Sequence, residues 1–271
     1  TRDLMPNALA FGLTLLLSPS IFAPAPRQTL KIGVAEGKGK QTAADSFAPF
    51  LRQMNASSKY AFEMVVFEDG EKQYEALRDG KVDLAFLGPA PYVKAHHEFK
   101  AQPVVAEAGE LRSMLVVAKS SPIRSVEELR GKTLALGYEG STTTHLLPML
   151  LLSKHQLKSE DLGGVKFVGD QTRKIVDVVL DGTAAAGGIS ETLYNAHKNE
   201  LRVLATSEPV PGALMVAHPK VGANVIKDLR ALFVTYVPAA GSPPFAQGAV
   251  AVTDATYNRV STARDVKSPN V

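Results

Sequence analysis

The chain has 271 residues, with 30 Lys and Arg against 27 Asp and Glu, 45% hydrophobic residues, and neither Cys nor Trp. That length allows one large domain or two of medium size, and the apolar content excludes wholesale disorder. Without Cys there are no disulfides, Cys-ligated zinc, iron–sulfur clusters, thiol catalysis or lipid attachment at Cys, and the mixed charges form no basic block of the kind nucleic acid requires.

Residues 8–17 read Ala-Leu-Ala-Phe-Gly-Leu-Thr-Leu-Leu-Leu behind Arg2, and small residues and prolines follow from Ser18 to Pro26. A short apolar run followed by a small-residue zone has the shape of a secretory signal. The run is too short to cross a bilayer comfortably, and Pro19 interrupts it. Residues 1–26 are therefore expected to be a signal-like segment, cut after Ala25 or Ser20. An uncleaved membrane tether and a buried N-terminal helix are the alternatives.

From residue 29 the hydrophobic pattern alternates strands with helices. A strand at 30–35 runs into a loop with Gly37 and Gly39. A helix at 44–54 carries Phe47, Phe50, Leu51 and Met54. Next come a strand at 60–67, a helix at 70–79 stopped by Gly80, and a buried strand at 82–87 that ends at Gly88-Pro89. A helix at 91–99, an extended stretch at 103–106 and a strand at 114–118 follow. Ser125 and Glu128 suggest a capping box on a short helix at 126–130. A strand at 133–137 precedes a long helix at 141–155. Strands at 165–168, 184–189 and 202–205 alternate with helices at 173–180 and 191–199, and helices at 224–233 and 254–264 close the chain. Such alternation predicts an α/β fold with parallel-rich sheets covered on both faces.

Two segments, 107–119 and 206–216, read as extended linkers, and the second contains Glu208-Pro209-Val210-Pro211-Gly212. One arrangement accounts for both. Residues 27–116 form the first part of lobe one and residues 117–208 form lobe two. Residues 209–271 return through the hinge to complete lobe one. Two lobes joined by two extended crossings make a hinged cleft suited to enclosing a small ligand.

The strongest local signal is Gly137-Tyr138-Glu139-Gly140-Ser141-Thr142-Thr143-Thr144-His145-Leu146-Leu147-Pro148. A strand ends, a glycine turn follows, and four hydroxyl residues open an apolar helix. Helix N-termini present unpaired N–H groups and a positive dipole end, and added hydroxyls make a receptor for a tetrahedral oxyanion. Capping explains one Ser or Thr at such a place, but not four in succession. A second signal is Asp83-Leu84-Ala85-Phe86-Leu87-Gly88-Pro89-Ala90-Pro91-Tyr92, where a buried strand delivers an aromatic at its carboxyl end. Ligands of open α/β sheets sit there, so the phenol of Tyr92 could donate to the same anion; packing against the next helix is its alternative role.

Other patterns fail on spacing. Residues 33–41 resemble a phosphate loop, but five residues separate Gly33 from Gly39 and Gln41 stands where Ser or Thr is needed. Ser141 lacks a nucleophile elbow because Thr143 fills the last glycine position. His96 and His97 diverge on a helix and cannot share an ion well. His155, His197 and His218 lack visible companion ligands. No catalytic residue, metal site or cofactor is expected.

Together the two crossings, the Gly-Pro-x-x-Tyr turn and the Gly-Ser-Thr-x-x-His helix start resemble the periplasmic phosphonate/phosphite/phosphate-binding proteins of ABC importers. The likeness runs from about Leu30 to Thr262 and includes Ser125-Val126-Glu127-Glu128-Leu129-Arg130-Gly131-Lys132-Thr133-Leu134-Ala135. The resemblance implies a type II periplasmic binding protein fold: two lobes, a two-strand hinge and closure over the ligand. It further implies that Ser141, Thr142 and Thr143 hold the anion oxygens, with His145 and Tyr92 at matching family positions. Several family positions differ. Asp69 is followed by Gly70 rather than Tyr, the stretch Gly169-Asp170-Gln171-Thr172 replaces Gly-Ser-His-Asp, and Ala185 stands where the family has Asp. These changes remove acceptors for a protonated oxygen or an amino group. Glu139, Asp170 and Glu191 are candidate replacements, and Gln171 and Glu191 are carried as further ligand-binding positions.

The expectation is a monomeric periplasmic solute-binding protein that takes a small oxyanion noncovalently and delivers it to an ABC permease in the membrane. A ligand-sensing module of the same fold, read by a signalling partner, is the alternative. An enzyme is not expected, since no nucleophile–base pair or metal constellation is present.

Overall fold

A computed structural model describes residues 27–36, 42–169, 171–238, 244–258 and 260–261. The signal-like segment, Gly37, Gly39, Asp170 and the end of the expected terminal helix lie outside the described residues.

Short apolar strands build two separate mixed sheets. The first contains β1 (Gln28–Ala35), β2 (Tyr60–Phe67), β3 (Leu84–Leu87) and β4 (Gln102–Glu107). The chain then runs through β5 (Glu110–Leu111) into β6 (Ser113–Ala118), β7 (Thr133–Leu136), β8 (Gly164–Phe167), β9 (Ala186–Ser190) and β10 (Leu201–Thr206). It returns through β11 (Val210–Pro211) to β12 (Leu214–Ala217) and β13 (Ala249–Ala251). Sheet one has the order β13-β4-β12-β3-β1-β2, and sheet two the order β10-β6-β9-β7-β8. Among the described residues, the crossings β5 and β11 pair only with each other, antiparallel, Val210 opposite Leu111. This two-strand ribbon connects the two sheets, where the sequence places the hinge.

The sheets are less parallel than the alternation predicts. β1 runs parallel to β2 and β3, and β7 parallel to β8 and β9. The strands next to the crossings are antiparallel: β12 inserts between β3 and β4, and β6 joins β10 to β9. The chain leaves sheet one past the carboxyl end of β4 and returns along the paired crossing to that same end, so β12 runs antiparallel to β4.

Helices cover both faces of each sheet, and the strands' two-residue period sorts their side chains. In sheet one, α1 (Ala43–Ser57) and α7 (Ala223–Phe233) meet Leu30, Ile32 and Val34 through Phe47, Phe50 and Phe233. The opposite face packs on α2 (Gly70–Arg78) and α3 (Pro89–Phe99) through Leu77, Val93 and Ala95. In sheet two, Leu115, Val117, Leu134 and Leu136 face α4 (Leu147–Lys154), whereas Met114, Val116 and Ala135 face α5 (Arg173–Leu180), beside α6 (Glu191–His197). Leu146 and Leu147, from the lobe-two side of the hinge, join the core cluster that includes Leu87, Ala90 and Tyr92. The lobes therefore touch through apolar side chains as well as through the hinge.

Two local expectations are corrected. The segment after Ser125 is a 3₁₀ turn over Glu127–Leu129 with no side-chain cap, and the Glu128 carboxylate takes the N–H of Arg124 instead. The long helix expected at 141–155 is a π-helical turn over Thr142–Leu146 followed by α4. Pro148 supplies the reason. It has no N–H, so it cannot serve a carbonyl in the preceding turn, and the chain is α-helical only from Leu147 onward.

Candidate functional site

β7 and β9 point their carboxyl ends toward the same edge of sheet two, and the hydroxyl-rich turn follows β7. Gly137 permits the first bend, because a Cβ there would lie 2.1 Å from the Thr144 Oγ1. Gly140, at φ +87°, supplies the left-handed conformation that reverses the chain. Ser141 then caps the π-helical turn: its Oγ accepts from the Thr144 N–H at 3.4 Å and from the Thr144 hydroxyl at 2.7 Å. The hydrogen of Ser141 itself is left without an acceptor among the described residues.

Thr142 reaches across to lobe one. Its Oγ1 accepts from the backbone N–H of Ala90 at 3.0 Å. The start of α3 has little else to offer, since Pro89 and Pro91 lack N–H groups and the Tyr92 N–H is bonded to the Gly88 carbonyl. Ala90 thus carries the single outward donor of that helix start, and Thr142 meets it. The hydroxyl hydrogen of Thr142, like that of Ser141, has no acceptor among the described residues. Ser141 and Thr142 are buried and Thr143 is partly exposed. The carbonyl of Thr143 accepts from the Ser113 hydroxyl at 2.6 Å.

His145 is 1% exposed and sits edge-on to Phe167. Its Nδ1 lies 2.9 Å from the Gly140 nitrogen. A backbone N–H can only donate, so Nδ1 is the acceptor and the ring is neutral with its proton on Nε2. Burial holds its pKa below the ordinary histidine value, and the nearby Glu139 charge opposes that shift. His145 therefore braces the turn as a neutral acceptor.

The other expected site residues are placed differently. The phenol of Tyr92 donates to the Asp254 carboxylate, and its ring meets Tyr257 edge-on at 4.9 Å. Burial first, and that carboxylate second, push its pKa up. In this structure the Tyr92 hydroxyl is bonded within lobe one rather than toward the hydroxyl turn. Gln171 is exposed ahead of α5, and its carbonyl takes the Lys174 N–H. Glu191 opens α6 beside the hinge, its N–H on the Arg112 carbonyl and its carboxylate 3.9 Å from the Arg112 guanidinium. Gly70 begins α2 directly after Asp69, which is occupied capping that helix through the Lys72 N–H. Ala185 precedes β9 and bonds the Thr133 carbonyl at the start of β7. It therefore lies at the far end of sheet two from Ser141, and the loss of Asp there takes no acceptor from the turn.

Sequence reasoning missed Ser113 and the amide of Ala90. A lone Ser before a strand, and an Ala between two prolines, carry no local pattern. Chemically the junction offers neutral hydroxyl and amide donors at a strand's carboxyl end, with no metal-ligating cluster among the described residues. The turn and α3 are in direct contact through Thr142 and Ala90. A cavity of about 520 Å³ lies elsewhere, beside the crossings, lined by Glu107, Glu110 and Pro209.

Comparison with known proteins bears on this geometry. Residues 32–263 match the sequence family described as "ABC transporter, phosphonate, periplasmic substrate-binding protein". The phosphonates-binding periplasmic protein of Escherichia coli is 25% identical over 83% of this chain and 71% of its own length. A phosphate-import protein of Mycolicibacterium smegmatis is 22% identical over 88% of this chain and 86% of its own. Among solved structures, a Prochlorococcus marinus protein in complex with methylphosphonate superposes with a TM-score of 0.70 at 14% identity, covering 87% of this chain and 97% of that one. A Xanthomonas citri protein bound to ATP also reaches 0.70, at 21% identity, over 89% of this chain and 100% of its own. The E. coli aliphatic sulphonate binding protein reaches 0.55 at 21% identity over 76% of this chain and 70% of its own. These structural likenesses establish the fold, a type II periplasmic binding architecture.

Proposed function

The chain belongs to the family of periplasmic phosphonate substrate-binding proteins of ABC transporters, and we propose that it captures a small oxyanion between its lobes. The anion is of the phosphonate, phosphite or phosphate class, and the loaded protein delivers it to a membrane permease. The protein works in the periplasm by noncovalent binding, without a cofactor or a chemical step.

One observation carries this reading. The Ser141 and Thr142 hydroxyls each keep a hydrogen to donate, at the point where Thr142 on lobe two meets the outward amide of Ala90 at the α3 start. On opening, the Ala90 N–H and the Thr142 oxygen part, and an anion oxygen is the natural partner for both donors. Hydrogen bonds to a charged group contribute about 1.5–3 kcal/mol each before ordering costs, so three or four support selective capture. Thr143 adds its partly exposed hydroxyl, and His145 holds the turn's shape. Tyr92 forms a fixed lobe-one wall, and Glu191 with Arg112 borders the hinge side. Gln171 lies just past Gly169, whose N–H bonds the Gly137 carbonyl at the start of the turn, and remains a further candidate contact.

Neutral donors distinguish oxyanions by geometry and protonation rather than by charge alone. Titration calorimetry against inorganic phosphate, phosphite, methylphosphonate, sulfate and methanesulfonate tests the proposal. Binding of a phosphorus oxyanion, tighter than of either sulfur compound, supports it. Preference for methanesulfonate reassigns the ligand class, and heat from none of the five removes the oxyanion reading.

A further inference from the structure

The buried polar side chains of this protein are concentrated. Apart from Gln73, those described are Ser113, Ser141, Thr142, Thr144, His145 and Ser207, all at or next to the junction of hinge and turn. Three belong to the hydroxyl turn and one braces it. Ser113 and Ser207 belong to the two crossings, and the hydroxyl turn alone does not explain them.

Pro148 creates the need that Ser113 meets. Within the π-helical turn, the Leu146 N–H bonds the Ser141 carbonyl and the Leu147 N–H bonds the Thr142 carbonyl. The next donor in that series would be the N–H of residue 148, aimed at the carbonyl of Thr143, and proline has none. The Thr143 carbonyl is therefore orphaned, as is the Thr144 carbonyl in the ordinary helical register. A buried carbonyl must find a partner. That of Thr144 takes the Gly137 N–H at 3.0 Å, and that of Thr143 takes the Ser113 hydroxyl at 2.6 Å.

Ser113 is also where the hinge enters lobe two. The β6–β10 ladder ends with Met114 opposite Thr206, and the β5–β11 ladder begins with Leu111 opposite Val210. Between them a hydroxyl replaces a backbone acceptor: the Ser207 N–H bonds the Ser113 carbonyl at 2.8 Å, but the Ser113 N–H bonds the Ser207 Oγ at 2.9 Å. The Ser113 hydroxyl, 0% exposed, also lies 3.4 Å from the Ile189 carbonyl at the end of β9. Both crossings thus meet at the Ser113 backbone, while its side chain reaches the hydroxyl turn and the end of β9.

We infer that Ser113 is a positioning residue for anion capture. It fixes the Thr143 carbonyl away from the anion, so that the turn presents donors, and it ties the turn to the hinge, so that occupancy and lobe closure are coupled. This inference rests on the oxyanion reading above.

The absence of native cysteine allows a direct test. Dyes on Lys81→Cys in lobe one and Lys158→Cys in lobe two report interlobe distance, while calorimetry measures affinity for inorganic phosphate and methylphosphonate. Ser113→Ala is expected to weaken binding about tenfold and to reduce the ligand-induced distance change, since one buried hydrogen bond and one orphaned carbonyl are at stake. Ser207→Ala removes a hydroxyl from the same joint without touching Thr143, and its affinity should stay within about twofold of wild type. Equal losses in both variants, or unchanged affinity in Ser113→Ala, overturn the inference. If the wild-type protein binds neither probe, the oxyanion reading fails separately. The ligand-free distance distribution then decides the hinge role: broadening in Ser113→Ala sustains it, and coincidence with wild type ends it.

Discussion

The Thr142 hydroxyl oxygen, on lobe two, accepts a hydrogen bond from the backbone N–H of Ala90, on lobe one, at 3.0 Å. Both partners are buried, so the contact joins the lobes and also covers the donors that an incoming anion would use. Affinity then depends on what replaces this bond when the ligand enters.

Thr142→Val preserves shape but removes both the acceptor for Ala90 and the donor for the anion. A hydrogen bond donated to a charged group contributes about 1.5–3 kcal/mol, and the Val variant cannot make it. Oxyanion affinity should fall about 10- to 100-fold by titration calorimetry. Thr142→Ser should retain most of it. Wild-type affinity in the Val variant would show that this hydroxyl does not face the ligand.

Tyr92→Phe separates stability from binding. The lost phenol bond to the half-exposed Asp254 should lower stability by about 1 kcal/mol in urea unfolding. Because that hydroxyl is already committed, affinity should change less than about twofold. A large loss of affinity with unchanged stability would place the phenol on the ligand.

Acidification should destabilise the turn through His145. Its folded pKa lies below the 6.5 of an unperturbed histidine because burial disfavours the charged ring. The unfolded chain therefore takes up the proton first as pH falls. The stabilisation is complete above 6.5 and is lost as pH drops from there through the folded pKa. His218, also lowered by burial and by Lys220, adds to the same slope. His145→Gln can keep an acceptor for Gly140 but does not titrate. Its melting temperature should fall less than that of wild type between about pH 7.5 and 5.5. Parallel slopes would assign the acid sensitivity elsewhere.

Gly137→Ala places a methyl 2.1 Å from the Thr144 Oγ1 and 2.9 Å from its Cβ. Thr144 must then move, and its bond to Ser141 goes with it. Overpacking of this kind costs about 1–3 kcal/mol, measurable in urea unfolding, and affinity should fall in parallel. An alanine variant as stable as wild type would mean that the turn yields without loss.

The sequence alone determined the strand–helix alternation as far as residue 205, the two crossings and the candidate turn at residues 141–145, but not β12 or β13. Each is a local matter: a two-residue apolar period marks a buried strand, Gly-Pro punctuation marks a crossing, and consecutive hydroxyls at a helix start mark unpaired donors. Tertiary structure decided which partner each of those groups takes. Tyr92 has the right residue type at the right strand end, but Asp254, far along the chain, claims its hydroxyl. Pro148 is visible in the sequence, yet only the fold brings Ser113 to the carbonyl that this proline leaves unserved. A buried polar group pairs with whatever the packed chain brings within about 3 Å, and sequence separation has no part in that choice.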